Sequence, residues 1–173
     1  MWDIVKDFQV GAIPAPNVNF IIDGGTLLQR LPWPQGKSFD EICKVYIENI
    51  SRRYGRDSVT VVFDGYAGGP STKDVTHFRR TGGCTGPTVH FTRDTILSIK
   101  KDTFLKNKEN KHQFLQMLSR NLQTIGCKTI HARADADTLI VETAINSART
   151  MDTVLIGDDT DLLILLCYHA DMK

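Results

Sequence analysis

The sequence contains few cysteines, and they do not form a pattern typical of a metal-binding or disulfide-rich domain. There is no CxxC pair and no cluster of cysteine with histidine. Structural zinc sites need closely spaced Cys and His ligands, so the wide spacing argues against one. We therefore predict free thiols, buried or on the surface, as is usual in intracellular proteins. The four cysteines are Cys43, Cys84, Cys127 and Cys167.

Long apolar runs are also missing. No run reaches the length of a membrane span, and the first ten residues, MWDIVKDFQV, lack the apolar block of a signal peptide. We therefore predict an intracellular protein, nuclear or cytoplasmic, with no membrane partner. The 173 residues, 41% hydrophobic and 24% charged, suit one domain with a hydrophobic core. We expect an N-terminal arm over residues 1–17, and a domain over residues 18–173 that is truncated at its C-terminus.

The net charge of +1 conceals a separation of charge along the chain. Basic residues dominate between Ser71 and Lys101, whereas acidic residues dominate between Arg133 and Asp161. The total charge would not indicate a nucleic-acid partner, but this separation of a basic stretch from an acidic one allows nucleic-acid binding.

Short apolar runs alternate with segments of helical periodicity. Ser38 and Glu41 form a capping box at the start of one helix, and Gly55 ends it. Residues 161–169 could form either a helix or a strand. The alternation predicts an α/β fold with a mainly parallel central sheet and helices on both faces. The predicted strands are residues 18–23, 58–64, 88–91, 127–132 and 153–159; the predicted helices are residues 38–55, 71–80, 109–125 and 134–148.

Aspartates stand at the ends of the predicted strands. Asp23, Asp64 and Asp159 each close an apolar run, in the motifs FIID, VVFD and LIGDD. The carboxyl ends of parallel strands form the ligand-binding crevice of such sheets. Asp135 and Asp137 open the helix that follows the third long strand, and Asp161 follows Asp159. We therefore expect up to six carboxylates on one side of the sheet.

Crowded carboxylates repel one another at neutral pH unless a cation lies between them. Mg²⁺ and Mn²⁺ prefer oxygen ligands, and two such ions can promote attack of water on a phosphodiester. Each acid also has a simpler interpretation. Asp64 could be a turn residue before Gly65, Asp135 a helix cap, and Asp137 a partner of the helix dipole. Asp158 could be a neighbour of the ligands or simply exposed.

These motifs resemble the PIN-like nuclease superfamily, and within it the flap-endonuclease branch. The resemblance rests on FIIDGG, on VVFDG followed by a lysine and an arginine, on ADADTLIVE and on IGDDTDLL, and it covers residues 19–166. It implies a three-layer α/β/α fold. The metal ligands implied by the resemblance are Asp23, Asp64, Asp135, Asp137, Asp159 and Asp161. The helical pair is aspartate here, where the family uses glutamate.

The resemblance also implies a substrate and a reaction. It implies a structure-specific nuclease that uses Mg²⁺ or Mn²⁺, with two ions, to hydrolyse phosphodiester bonds, in DNA rather than RNA. Lys73 and Arg80, seven residues apart as in the family, would contact the scissile phosphate. Uncharacterised animal proteins carry a similar domain. The oligomeric state is left open.

Other basic and aromatic residues have two interpretations each. We predict that Arg79, Lys100 and Lys101 join Lys73 and Arg80 in substrate binding, since phosphate contacts dominate such affinity. A solvated surface is the simpler interpretation, because acids interrupt the basic run. Trp33 and Tyr66 could stack on bases, or could merely pack in loops.

Two alternatives to a nuclease remain. One is a module with weak or no activity that binds nucleic acid or protein. The other is a phosphatase of the haloacid-dehalogenase type, which the GDDTD motif resembles. That family places an Asp-x-Asp motif after its first strand, whereas Asp23 is followed by Gly24 and Gly25 here.

Overall fold

The computed structural model describes residues 17–56, 58–65, 86–133 and 136–170. These residues form one four-stranded sheet in which every pair of neighbouring strands is parallel. The strand order is β3-β2-β1-β4, so β1 and β2 lie inside the sheet. The prediction of an α/β protein with a parallel sheet is therefore confirmed. The strands are β1 (Asn19–Asp23), β2 (Val59–Phe63), β3 (Lys128–His131) and β4 (Thr153–Ile156).

Six helices connect or follow these strands within the described residues. They are α1 (Gly24–Arg30), α2 (Phe39–Tyr54), α3 (Lys101–Leu105), α4 (Lys108–Thr124), α5 (Asp137–Ala148) and α6 (Thr160–Ala170). The segment that could have been helix or strand is thus the helix α6. Among the described helices, none is both long enough and apolar enough to cross a lipid bilayer. The predicted N-terminal arm and the predicted helix over residues 71–80 lie outside the described residues, apart from Asn17.

The start of α2 follows its sequence signature. The side chain of Ser38 accepts a hydrogen bond from the backbone N–H of Glu41, and the Glu41 carboxylate accepts one from the backbone N–H of Ser38. Two N–H groups that have no partner within the helix are satisfied in this way. The helix ends at Gly55, whose φ of 80° is in the region that glycine adopts most easily. Both predicted boundaries are confirmed.

Side chains of the strands alternate between two hydrophobic clusters, one on each face of the sheet. Phe20 and Ile22 belong to a first cluster with α2 and α4, whereas Ile21 belongs to a second cluster with α5 and α6. Successive side chains of a strand point to opposite faces, so both faces must be covered. Helices therefore pack on both sides of the sheet, an arrangement consistent with a three-layer α/β/α fold.

The predicted strand over residues 88–91 is wrong. The segment has no regular secondary structure and pairs with none of the four strands of the sheet. The buried side chain of Asn110 bonds to this part of the chain instead, because Asn110 Oδ1 accepts from Val89 N at 2.9 Å and Asn110 Nδ2 donates to Pro87 O at 2.8 Å. Phe91 stacks on Phe39, with ring centroids 4.1 Å apart. The side chain of Asn110 thus makes a hydrogen bond that a neighbouring strand would make in a sheet.

Candidate active site

The strands end at one side of the sheet, which we call the carboxyl edge. From β1 the chain moves outward on one side to β2 and β3, and then returns to place β4 on the other side of β1. The strand order therefore reverses between β1 and β4. In open parallel sheets, ligands bind in the crevice at this reversal, beyond the carboxyl ends of the strands. The end of β1, between β2 and β4, is thus the position where a sheet of this order would bind a ligand.

On the β2 side of this position, two acids lie at the ends of adjacent strands. Asp23 is paired in register with Val62, and Asp64 follows β2 directly. Gly65 then passes the end of β3 so closely that a Cβ on it would lie 1.6 Å from the carbonyl oxygen of Ala132. Only glycine fits there, and the contact brings the Asp64 turn against the segment that leads to α5.

On the β4 side, the chain also passes close to Asp23. Ile22 is paired with Ile156, so Gly157 follows beside Asp23, and a Cβ on Gly157 would lie 3.6 Å from Asp23 Cβ. Asp159 is two residues further along this loop. Asp23 therefore lies between the β2 end with Asp64 and the β4 end with Asp159.

The carboxylate of Asp23 is the N-cap of α1. Oδ1 accepts from Gly25 N at 2.8 Å, and Oδ2 accepts from Thr26 N at 3.2 Å and from Thr26 Oγ1 at 2.6 Å. A carboxylate has about four acceptor positions on its two oxygens, so this cap does not exhaust it. The hydrogen bonds hold the side chain in one orientation at the centre of the carboxyl edge.

Asp158 has a different role from its acidic neighbours. Its carboxylate forms a two-fold salt bridge with the guanidinium of Arg30, with Nε to Oδ2 at 2.7 Å, and its backbone N–H donates to Thr26 Oγ1 at 3.1 Å. The hydrogen bond that Arg30 donates to Asp158 raises the pKa of Arg30. Both side chains are about half exposed, at 49% and 54%. This acid is thus neutralised within the protein.

The remaining acids lie at the starts of two helices. Asp159 precedes α6, and its Oδ1 accepts from Asp161 N at 3.0 Å. Asp137 lies in the first turn of α5, whose N-cap residue, Ala136, offers no side-chain hydrogen bond. Asp159 and Asp161 are exposed. Asp135, predicted as the partner of Asp137, lies outside the described residues.

These acids share an edge but do not form a closed cluster. Within residues 17–56, 58–65, 86–133 and 136–170, no three His, Cys, Asp or Glu side chains are grouped so that they could hold a metal ion. His131, which ends β3, bonds to Ser119 Oγ through Nε2 at 3.1 Å, and burial lowers its pKa. Two of the acids at this edge, Asp23 and Asp158, already have partners in α1.

The predicted substrate-binding residues fall into two groups. Lys73, Arg79 and Arg80 lie outside the described residues. Lys100 is exposed and precedes α3. The ammonium group of Lys101 donates to the carbonyl oxygens of Gln29 at 2.9 Å and Leu31 at 2.8 Å, and burial lowers its pKa. Lys101 therefore satisfies the end of α1, and its contact with substrate remains a prediction.

Trp33 belongs to the hydrophobic core. It is 8% exposed, its Nε1 donates to the hydroxyl of Tyr46 at 2.7 Å, and its ring centroid lies 4.5 Å from that of Phe114. Packing is therefore the correct interpretation of Trp33, whereas Tyr66 lies outside the described residues.

The described cysteines form no disulfide bond with one another. Cys43 and Cys127 are buried, and Cys167 is exposed. Burial raises the pKa of Cys43 to about 12, so this thiol stays protonated and unreactive.

A cavity of about 350 Å³ lies elsewhere, along the second half of α4. Phe91, Arg93 and Arg120 are among its lining residues, and no acid of the carboxyl edge lines it. Because α4 runs towards the start of β3, this cavity lies away from the carboxyl edge. It is therefore not part of the candidate site.

Sequence reasoning missed two residues that organise the carboxyl edge. Thr26 and Arg30 both contact the loop after β4, although neither belongs to an acidic motif. A signal was present for Thr26, since a strand-ending Asp followed three residues later by Thr can form a helix cap. Nothing in the sequence indicated that Arg30 would meet Asp158, 128 residues away.

No protein-family model matches this chain, and neither a curated protein nor a solved structure shows significant similarity to it. The chain is an α/β protein with an all-parallel four-stranded sheet and acids at the carboxyl ends of its strands.

Proposed function

We propose that this protein is a metal-dependent nuclease that hydrolyses phosphodiester bonds in DNA, of the flap-endonuclease-like branch of the PIN-like superfamily. One observation carries the proposal. The strand order places Asp23 between the β2 end with Asp64 and the β4 end with Asp159, at the reversal where parallel sheets bind ligands. Caps and turns alone would not require acids at all three adjacent strand ends.

The chemistry of the donor set fits a hard divalent cation. The acids at this edge offer oxygen ligands, which Mg²⁺ and Mn²⁺ prefer. The residues that would hold one or two ions are Asp23, Asp64, Asp135, Asp137, Asp159 and Asp161. Such ions would supply an activated water and stabilise charge on the phosphate.

The protein's own residues would orient these ligands and neutralise the substrate. Asp23 is held by the N-terminus of α1, so its direction is set before any ligand arrives. Lys73 and Arg80 would bind the phosphodiester and stabilise its developing negative charge. Arg79 and Lys100 would contribute weaker phosphate contacts along the nucleic acid.

Cleavage of labelled DNA tests this proposal. The wild-type chain is incubated with a fluorescent flap duplex and with single-stranded DNA, in Mn²⁺ or Mg²⁺, beside Asp159→Asn and Asp152→Asn. Asp152 is an exposed acid at the opposite end of β4, so its substitution is a matched control. We expect cleavage by the wild type and by Asp152→Asn, and a loss of at least about 100-fold in Asp159→Asn, about 3 kcal/mol of transition-state stabilisation.

Cleavage that survives in Asp159→Asn would contradict the proposal, as would a folded wild-type protein that binds Mn²⁺ but cuts neither substrate. Isothermal titration with Mn²⁺ separates the binding of metal from turnover. Weak or absent binding at millimolar Mn²⁺ would contradict the proposed metal site.

A second candidate is a module that binds nucleic acid or protein without catalysis. It is favoured by the engagement of the acids within the protein, since Asp23 caps α1 and Asp158 is paired with Arg30. Gel-shift binding of the same DNA with no turnover in either metal would support this candidate.

A further inference from the structure

The hydroxyl group of Thr26 joins the ends of β1 and β4. It donates to Asp23 Oδ2 at 2.6 Å and accepts from the backbone N–H of Asp158 at 3.1 Å. Thr26 is only 8% exposed, so water has little access to compete for these bonds. One buried oxygen thus connects the acid at the centre of the carboxyl edge to the loop that carries Asp159.

Arg30 makes the second contact with the same loop. It lies four residues after Thr26 on α1, so the two side chains share one face of the helix. Thr26 binds the backbone of Asp158, and Arg30 binds its carboxylate. The loop after β4 is therefore attached to α1 at two points, and α1 is itself capped by Asp23.

We propose that Thr26 is a positioning residue that sets the loop of Asp159, and with it the start of α6 at Asp161, relative to Asp23. Arg30 is the second attachment of that loop. The inference rests on the proposed function for its consequence, which is metal affinity. Groups that orient metal ligands without touching the metal typically contribute 10- to 100-fold to metal affinity. Asp158, in contrast, is assigned to this attachment and not to the metal.

The substitution Thr26→Val isolates the hydroxyl. Valine keeps the shape of threonine and keeps the backbone N–H that bonds to Asp23, so the cap of α1 survives. Only the two bonds of the hydroxyl are lost. Thr26→Ser restores the hydroxyl without the methyl group. Thr143→Val is the matched control, because the Thr143 hydroxyl bonds to Leu139 O within α5, away from the loop after β4.

Two measurements on the full chain decide the inference. The first is amide hydrogen exchange of the loop from Gly157 to Asp159, followed without metal. We expect exchange at Asp158 to accelerate on the order of tenfold in Thr26→Val, since its N–H loses its acceptor, and to stay near wild type in Thr26→Ser and Thr143→Val. The second is Mn²⁺ affinity by calorimetry, where we expect a loss of about tenfold or more in Thr26→Val alone.

The outcomes separate the two claims. Unchanged exchange at Asp158 in a folded Thr26→Val overturns the positioning role, whatever the metal does. Accelerated exchange with Mn²⁺ affinity equal to wild type also overturns it, since the loop then has no influence on the ligands. If the wild-type protein binds no Mn²⁺, the proposed function is contradicted. The exchange measurement still decides whether Thr26 holds the loop.

Arg30→Met provides a test if Thr26→Val fails to fold. The pair with Asp158 is about half exposed, so its loss should leave the fold intact. We expect exchange over the loop to accelerate about threefold. This is less than the roughly tenfold change expected for Thr26→Val, because the ion pair is more exposed than the hydrogen bonds of Thr26. Exchange identical to wild type in this variant would overturn the second attachment.

Discussion

The two faces of the sheet are built from different kinds of side chain. The first cluster contains large aromatic rings that contact one another, among them Trp33, Phe39 and Phe114. The second cluster consists of alanines and aliphatic residues, and its helix α6 exposes Ile164 at 64% and Tyr168 at 65%. Aromatic side chains bury the most apolar area, so the first face carries more of the hydrophobic stabilisation.

The side chains that contribute most to stability lie apart from the candidate site. The aromatic cluster lies among α2, α3 and α4, and it includes none of the acids of the carboxyl edge. The helices that carry Asp137 and Asp161 begin at that edge and belong to the second face. The aromatic cluster therefore packs on one face of the sheet, and two of the proposed ligands lie on helices of the other face.

The largest effect is expected from Phe114→Ala. This ring is fully buried among other rings, so its removal should lower the free energy of unfolding by about 3–5 kcal/mol, as urea denaturation would measure. Ile140→Ala on the second face should cost less, about 2 kcal/mol, because its small neighbours can close over the space. A cost for Ile140→Ala equal to that of Phe114→Ala would remove the contrast between the faces.

A smaller effect is expected from Tyr46→Phe. The buried hydroxyl of Tyr46 accepts from Trp33 Nε1 at 2.7 Å and donates to Leu28 O at 3.1 Å. Its loss leaves both groups without this partner, at a cost of about 1–3 kcal/mol in unfolding free energy. Tyr168→Phe, on the exposed side of α6, is the matched control and should change stability by less than about 0.5 kcal/mol. If Tyr46→Phe changed the free energy of unfolding as little as Tyr168→Phe, the hydroxyl of Tyr46 would contribute nothing to stability.

The smallest effect is expected from Ile164→Ser. The side chain is 64% exposed, so the unfolding free energy should change by no more than about 0.5 kcal/mol. Leu162 on the same helix is 3% exposed, so Leu162→Ala should lower the free energy of unfolding by about 2–4 kcal/mol. A loss above about 1 kcal/mol for Ile164→Ser would indicate that the exposed side of α6 is covered in solution.

Local features of the fold could be predicted because their causes are local. The capping box of Ser38 and Glu41 and the glycine that ends α2 need only neighbouring residues, and both are found. The strand predicted over residues 88–91 failed because its apolar pattern also fits a loop whose backbone is satisfied by Asn110.

By itself, the sequence determined that apolar strands end in aspartates and alternate with helices, because both are patterns of adjacent residues. Only the tertiary structure decided that β1 lies between β2 and β4, and that Thr26 and Arg30 meet the loop of Asp158. Strand order and contacts between distant residues depend on how the helices pack on each face. A local pattern of residues does not contain that information.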